Sequence, residues 1–184
     1  MQSEARAVGR VEQIWVYPVR SLAGRPVSAV GVGPGGLEGD RAWSVVGDDG
    51  ALVRAKDTPA MREVPGTGDP AADAAALTTV LGRPVRLEAT SGGTGEVAPV
   101  HLVSRQAVER AAGGDVPEGC SADDPRANLL LTLDGDADER TWTGRLLHVG
   151  SAVLEVTRTP KHCLGVYADV RTPGEVRLGD PVLL

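Results

Sequence analysis

The chain has 184 residues, enough for one compact domain or two small ones sharing a core. With 41% hydrophobic and 24% charged residues it has the balance of a globular protein, which excludes wholesale disorder, and a net charge of -6 argues against non-specific binding to a phosphate backbone. No apolar run approaches the ~20 residues that span a bilayer, and three Trp, two Tyr and no Phe leave little for a stacking platform on single-stranded nucleic acid.

The first residues, MQSEARAVGR, contain no apolar segment of the kind a secretory signal needs, and two cysteines, Cys120 and Cys163, cannot make a disulfide framework. A reducing cytoplasm is therefore the expected location. Gly and Pro number 24 and 13 and are dispersed, which reads as many turns between short strands. Residues 8–19 alternate in polarity around a β-branched and aromatic run and predict a strand ending at Tyr17-Pro18. Pro26–Val32 predicts a second strand, closed by Gly33-Pro34-Gly35-Gly36. Ala42–Val46 and Ala51–Arg54 flank Asp48-Asp49-Gly50 and predict a β-hairpin, with the Asp-Gly pair supplying the turn.

Asp73–Leu81 predicts a short helix, with Asp73 as N-cap and Gly82 just past its end. Pro84–Glu88 is the next strand, and Ala89–Val97, rich in Ser, Thr and Gly, reads as a mobile loop. Val100–Val103 predicts a strand leading into Ser104, which caps a helix over 105–112 that ends at Gly113-Gly114. Asp115–Pro125 is polar and turn-rich. Asn128–Leu133 is a strongly apolar, central strand, Leu146–Val149 and Ala152–Thr157 make a hairpin, and Val176–Leu184 turns at Gly179-Asp180. About ten strands and two or three short helices predict a mainly β fold, a closed or nearly closed barrel decorated by helices. A β-rich part over 1–88 and a core domain over 89–184 are expected to intertwine as one unit.

No nucleotide fingerprint is present, because Pro34 and the following turn break the helix that Gly31–Gly36 would have to open into. The histidines at 101, 148 and 162 lack metal-ligand spacing. A triad built on Ser104 has no nucleophile elbow. The segment Thr157–Gly165 is unusual: a strand ends at Pro160, and Lys161-His162 precede Cys163. Flanking cations favour a thiolate, which is both a nucleophile and a soft metal ligand, although a structural thiol fits the same residues. Cys120, in a polar loop beside acidic residues, reads as incidental. Arg20, Arg41, Arg54 and Arg126 stand at strand ends in polar contexts. Each alone reads as a surface charge, and several converging on one spot would hold a dianion.

Taken in order, the motifs resemble those of proteins with a MOSC domain, the C-terminal domain of molybdenum-cofactor sulfurases. Val16-Tyr17-Pro18-Val19-Arg20-Ser21, then Gly36-Leu37 with Asp40-Arg41-Ala42-Trp43, then Asp49-Gly50 with Arg54 and Pro59, carry the first half. Val100-His101-Leu102-Val103-Ser104, Arg126-Ala127-Asn128-Leu129, Trp142–Gly150, His162-Cys163 and Leu178-Gly179-Asp180-Pro181-Val182 carry the second. The combination is most similar to the amidoxime-reducing components and their bacterial relatives. The resemblance implies a MOSC-type β-barrel packed with a small β-rich N-terminal part. It also implies a molybdenum cofactor (molybdopterin), with Cys163 as metal ligand and catalytic residue. Arg20, Ser21, Arg41, Arg54, Ser104, Arg126, Asn128 and His162 become the candidate cofactor pocket, and its basic members explain how an acidic protein holds an anion.

Arg20 replaces the family's usual Lys, His162 replaces an Arg, and Asp124-Pro125 stands in place of an Arg and an aromatic. The implied activity is reduction of N–O bonds in a small N-hydroxylated substrate. Electrons come from a separate donor protein, since the chain carries no flavin, haem or iron–sulfur motif. The alternatives are a persulfide carrier in which Cys163 is loaded by a cysteine desulfurase, and a non-catalytic module for an anionic metabolite. Neither nucleic acid nor a membrane is expected as a partner.

Overall fold

The structure is a computed structural model that describes residues 5–90, 98–117 and 125–184. These residues form β1 (Ala7–Val16), β2 (Arg25–Val27), β3 (Ala29–Gly33), β4 (Gly36–Leu37), β5 (Trp43–Gly47), α1 (Pro70–Leu81), β6 (Val85–Ala89) and β7 (Val100–Ser104). After these come α2 (Arg105–Ala112), β8 (Leu129–Leu133), β9 (Leu146–Val149), β10 (Ala152–Arg158), β11 (Val166–Thr172), β12 (Gly174–Arg177) and β13 (Pro181–Leu183). Short 3-10 turns occur at Pro59–Glu63 and Glu139–Trp142. The chain is mainly β with two short helices, as expected. No helix among the described residues is long and apolar enough to cross a membrane.

The residues divide into two compact units, each discontinuous in sequence: Met1–Trp15 with Val27–Glu38 and Gly95–Leu184, and Val16–Pro26 with Gly39–Thr94. In the first unit seven strands close into a barrel in the order β13-β9-β10-β11-β7-β8-β1, with β13 pairing back onto β1. Neighbouring strands are antiparallel except β7 and β8, which are parallel; such a pair needs a crossover, and α2 lies in it. Period-two alternation sets the buried face: on β10, Ala152, Leu154 and Val156 are buried while the residues between them are half-exposed. Ile14, Leu102, Leu129, Leu131, Leu147 and Leu154 are fully buried, so a chain without Phe fills its core with aliphatic side chains. Ser104 caps α2 by accepting from the Ala107 amide, and Ala107 and Ala111 pack with Val103, Ala127 and Leu164. A separate three-stranded sheet in this unit runs β12-β3-β4.

The second unit pairs β5 with β6 over five residues, from Trp43 opposite Ala89 to Gly47 opposite Val85. Its core gathers Val19, Leu22, Val45, Met61, Val64 and Leu77. Helix α1 begins at Pro70 with Asp69 as its cap, accepting from the amides of Ala71 and Ala72, three residues earlier than the sequence indicates. Asp73, expected as the cap, is 1% exposed and turned inward, where it accepts from Thr67 and Gly68.

Three further expectations are refined or corrected. The turn at Asp48–Gly50 forms, with Gly50 at φ 78°, and the hairpin is short: the Gly47 amide donates to Ala51 and the Val53 amide to Val45 around the single Val46–Leu52 bridge, while the longer ladder of β5 is with β6. The strand expected over 26–32 is broken at Ser28 into β2 and β3. Residues 176–184 divide between β12, in the three-stranded sheet, and β13, in the barrel. β11, not anticipated, alternates buried and half-buried residues from Val166 to Ala168 as any half-buried strand does. The loop reading of 91–97, most of the turn-rich stretch over 118–124, and Cys120 lie outside the described residues.

Candidate cofactor and substrate site

Cys163 stands between β10 and β11, and two contacts with β7 fix the backbone after it. His101, 4% exposed, has Nε2 at 2.7 Å from the Leu164 carbonyl, which requires the proton on Nε2. Its ring meets Tyr167 edge-to-face at 4.9 Å. Gly165 follows at φ 77°, so close to β7 that a Cβ there would lie 2.0 Å from the Leu102 carbonyl oxygen. Cys163 is half-buried, and its thiol donates a weak hydrogen bond to the Pro125 carbonyl at 3.5 Å, which joins it to the Arg126 loop. His162 and Lys161 are exposed. Arg158 lies over the Tyr167 ring at 5.1 Å.

Asn128 is fully buried and links three segments. Its Oδ1 accepts from the His101 amide at 3.1 Å and its Nδ2 donates to the Trp15 carbonyl at 3.3 Å. Arg126, two residues earlier, adopts φ 52°. Ser104 is buried as well: its hydroxyl accepts from Ala107 and donates to Glu139 Oε1 at 2.9 Å, and its amide donates to the same oxygen at 3.2 Å. Both hydrogen-bonding roles of Ser104 are thus spent on holding α2 and the Glu139–Trp142 turn. Glu139 is 0% exposed, and its Oε2 has no hydrogen-bond partner among the described residues.

Cys163 also borders a cavity of about 240 Å³, together with Arg110, Asp115, Arg140, Pro160 and Gly165. Asp138 links the two arginines: it accepts from Arg140 Nε at 3.1 Å and Nη2 at 2.8 Å, and stands 3.8 Å from Arg110 Nη2. The Arg140 hydrogen bond, with the charges of both guanidiniums, holds the Asp138 carboxyl below the usual carboxylate range against the opposing effect of burial, and Asp138 in turn raises Arg140. Arg110 and Arg140 are absent from the sequence-based set because an arginine on a short helix or turn gives no signal that separates it from a surface charge.

Arg20, Ser21, Arg41 and Arg54 belong to the second unit. The Arg20 amide donates to Trp43 and the Trp43 amide to Pro18, which makes a parallel bridge between Val19 and Trp43. Ser21 at φ 75° accepts from the Ala55 amide at 3.1 Å, next to exposed Arg54. Arg41 at φ 50° donates its amide to the Tyr17 carbonyl, pairs with Asp40, and lies over the Tyr17 ring at 5.6 Å. Asp40 also accepts from the Tyr17 amide at 2.8 Å. Arg20 Nε is buried and meets no hydrogen-bond partner among the described residues.

Ser21, Arg41 and Arg126 are the non-glycine residues with positive φ among the described residues, and all three were singled out by sequence. Such backbone costs of order 1–3 kcal/mol at each position and collects at functional sites.

The profile of the MOSC N-terminal beta barrel domain matches residues 8–112, more than half of the sequence. The chain belongs to this family. It is 37% identical over 91 residues to human mitochondrial amidoxime-reducing component 1, covering 46% of this chain and 27% of that protein. It is 44% identical over 57 residues to human mitochondrial amidoxime reducing component 2, covering 28% and 17%. The matched stretches are thus about a quarter or less of those relatives. Among solved structures, the YuaD protein of Bacillus subtilis superposes with a TM-score of 0.55 at 14% identity over 97% of both chains. A hypothetical protein gives 0.53 at 14% identity, over 97% of this chain and 67% of the other. These two likenesses concern the fold.

Proposed function

We propose that this protein holds a molybdenum cofactor and reduces N–O bonds in small N-hydroxylated compounds. Family membership supports the cofactor association at the level of the family, and the names of the human relatives supply the reaction class. The observation that carries the reading in this chain is the coincidence of left-handed backbone with three predicted contact residues, Ser21, Arg41 and Arg126. Strained backbone persists where the surroundings over-determine it, and a ligand-holding loop is a frequent reason.

The residues fit the group. Among the described residues no three His, Cys, Asp or Glu side chains gather as metal ligands. A metal carried on a dithiolene asks the protein for only one soft donor, which the half-buried Cys163 thiolate provides. Each unit offers donors suited to an anionic group: in one, Arg20 Nε, buried without an acceptor among the described residues, with Arg41 and Arg54, and in the other the planar guanidinium of Arg126. Asn128 fixes the loop that carries Arg126, and Ser104 fixes α2. The cofactor, when bound, supplies a metal centre that exchanges two electrons. Two electrons and two protons convert N–OH into N–H and release water, the electrons arriving from a separate donor protein. The walls of the Cys163 cavity orient the substrate and limit water.

The test is metal and pterin analysis of protein made in a host with an intact cofactor pathway. Molybdenum and pterin are expected in the parent, with the metal lost in Cys163→Ser. Parent protein carrying neither refutes the reading.

A further inference from the structure

We propose that the cavity beside Cys163 is a recognition site for small carboxylate-bearing molecules, held by Arg110 and Arg140. The proposal rests on these side chains and not on the cofactor, so the two readings stand or fall separately.

Two guanidiniums border one cavity although like charges repel. Asp138, outside the lining, offsets that repulsion and orients them. Arg140 spends Nε and Nη2 on Asp138, which leaves Nη1 uncommitted among the described residues. Arg110 Nη2 is 3.8 Å from Asp138, beyond hydrogen-bonding distance, so Asp138 does not take up its donor. Glu139 lies between Asp138 and Arg140 in sequence and is anchored in the interior through Ser104, so the turn that presents Arg140 is tied to the helix that carries Arg110. Preorganised forks of this kind match a planar carboxylate.

Among the described residues the other charged group on the wall is Asp115, which opposes an anion; Lys161 and His162, exposed beside Cys163, favour one. A volume of about 240 Å³ exceeds the roughly 150 Å³ that admits benzene, so a molecule of benzoate size fits.

The thiol at the wall reports on the cavity. The chain is made in a host without the cofactor pathway, and Cys163 is alkylated by iodoacetate and, separately, by iodoacetamide, with rates read by peptide mass spectrometry. Both reagents attack the same thiolate, so the ratio of their rates cancels thiolate fraction and reports local charge. The ratio is expected to fall about five- to tenfold at low salt in Arg110→Gln/Arg140→Gln, and to rise about twofold in Asp115→Asn. Arg110→Lys/Arg140→Lys should keep the parental ratio. Should the double glutamine variant fail to fold, Arg140→Gln alone should lower the ratio about two- to threefold. Benzoate should protect Cys163 and isosteric benzamide should not. A ratio unchanged in the folded glutamine variants, or equal protection by benzamide, overturns the proposal. Absence of molybdenum from protein made with the pathway intact would refute the cofactor reading and leave these outcomes untouched.

Discussion

Replacing Gly165 with Ala tests whether β7 sets the position of Cys163. The new Cβ would lie 2.0 Å from the Leu102 carbonyl oxygen and 2.8 Å from Val103 Cγ2, with φ held at 77°. An ordinary carbon–oxygen approach is about 3.3 Å, so the backbone must withdraw by more than about 1 Å. A shift of that size along the 2.7 Å His101–Leu164 contact takes it out of hydrogen-bonding range. The left-handed conformation costs a β-carbon-bearing residue about 1–2 kcal/mol, and loss of the hydrogen bond, with a buried imidazole donor left unpaired, costs about 1–3 kcal/mol more. We expect Gly165→Ala to lose about 2–4 kcal/mol in urea unfolding followed by tryptophan fluorescence, and about 5–12 °C in Tm. Cys163 should also become more accessible to iodoacetamide as its loop leaves β7. A variant within about 0.5 kcal/mol of the parent and with unchanged Cys163 reactivity would refute the argument that this contact positions the thiol.

Glu139→Gln keeps an oxygen for the Ser104 amide and hydroxyl, so its unfolding free energy should stay within about 1 kcal/mol of the parent. Glu139→Leu, which orphans both donors, should cost at least about 2 kcal/mol. Equal losses in the two variants would show that the carboxylate is not acting as the acceptor. For Asp138, the folded carboxyl is held below its ordinary value near pH 4 by Arg140, so its contribution is complete above that value and is lost as pH falls through the lower folded value. The stability gap between the parent and Asp138→Asn should therefore be constant from about pH 5 to 7 and shrink below about pH 4. Denaturant titrations across that range check it, and a gap that widens in acid would contradict the assignment.

Local rules carried much of the fold. Ser104 before Arg105–Ala112 forms the capped helix its sequence indicates, and Leu146–Val149 with Ala152–Arg158 forms the expected hairpin. Longer-range choices were not legible. Ala51–Arg54 folds back on β5 through the Val46–Leu52 bridge as its composition indicates, but the longer ladder of β5 with residues 85–89 depends on what α1 and the Met61 core place alongside it. Asp73 looks like a cap from its position before an alanine-rich run, and only the Thr67-Gly68 loop folding back explains why it is buried. In the site, Cys163 stood out because Lys161 and His162 flank it, whereas Arg110 and Arg140 need Asp138 and the cavity to be distinguished from solvated charges. Among the predicted contacts, Ser21, Arg41 and Arg126 carry a conformational mark that composition does not reveal.

The seam between β1 and β13 has a consequence for how the protein forms. Ala7 pairs with Leu183 and Arg10 with Pro181, while Val182 and Leu183 also pair with Val149 and His148 of β9. The ladder that completes the ring thus joins strands from opposite ends of the sequence, the connection with the greatest loop-closure entropy. Until those few residues dock, β1 and β9 each present an open edge able to recruit a strand from another molecule. Closure is therefore a late event that guards against aggregation, and a weakened β13 should show its effect first in refolding yield at high protein concentration.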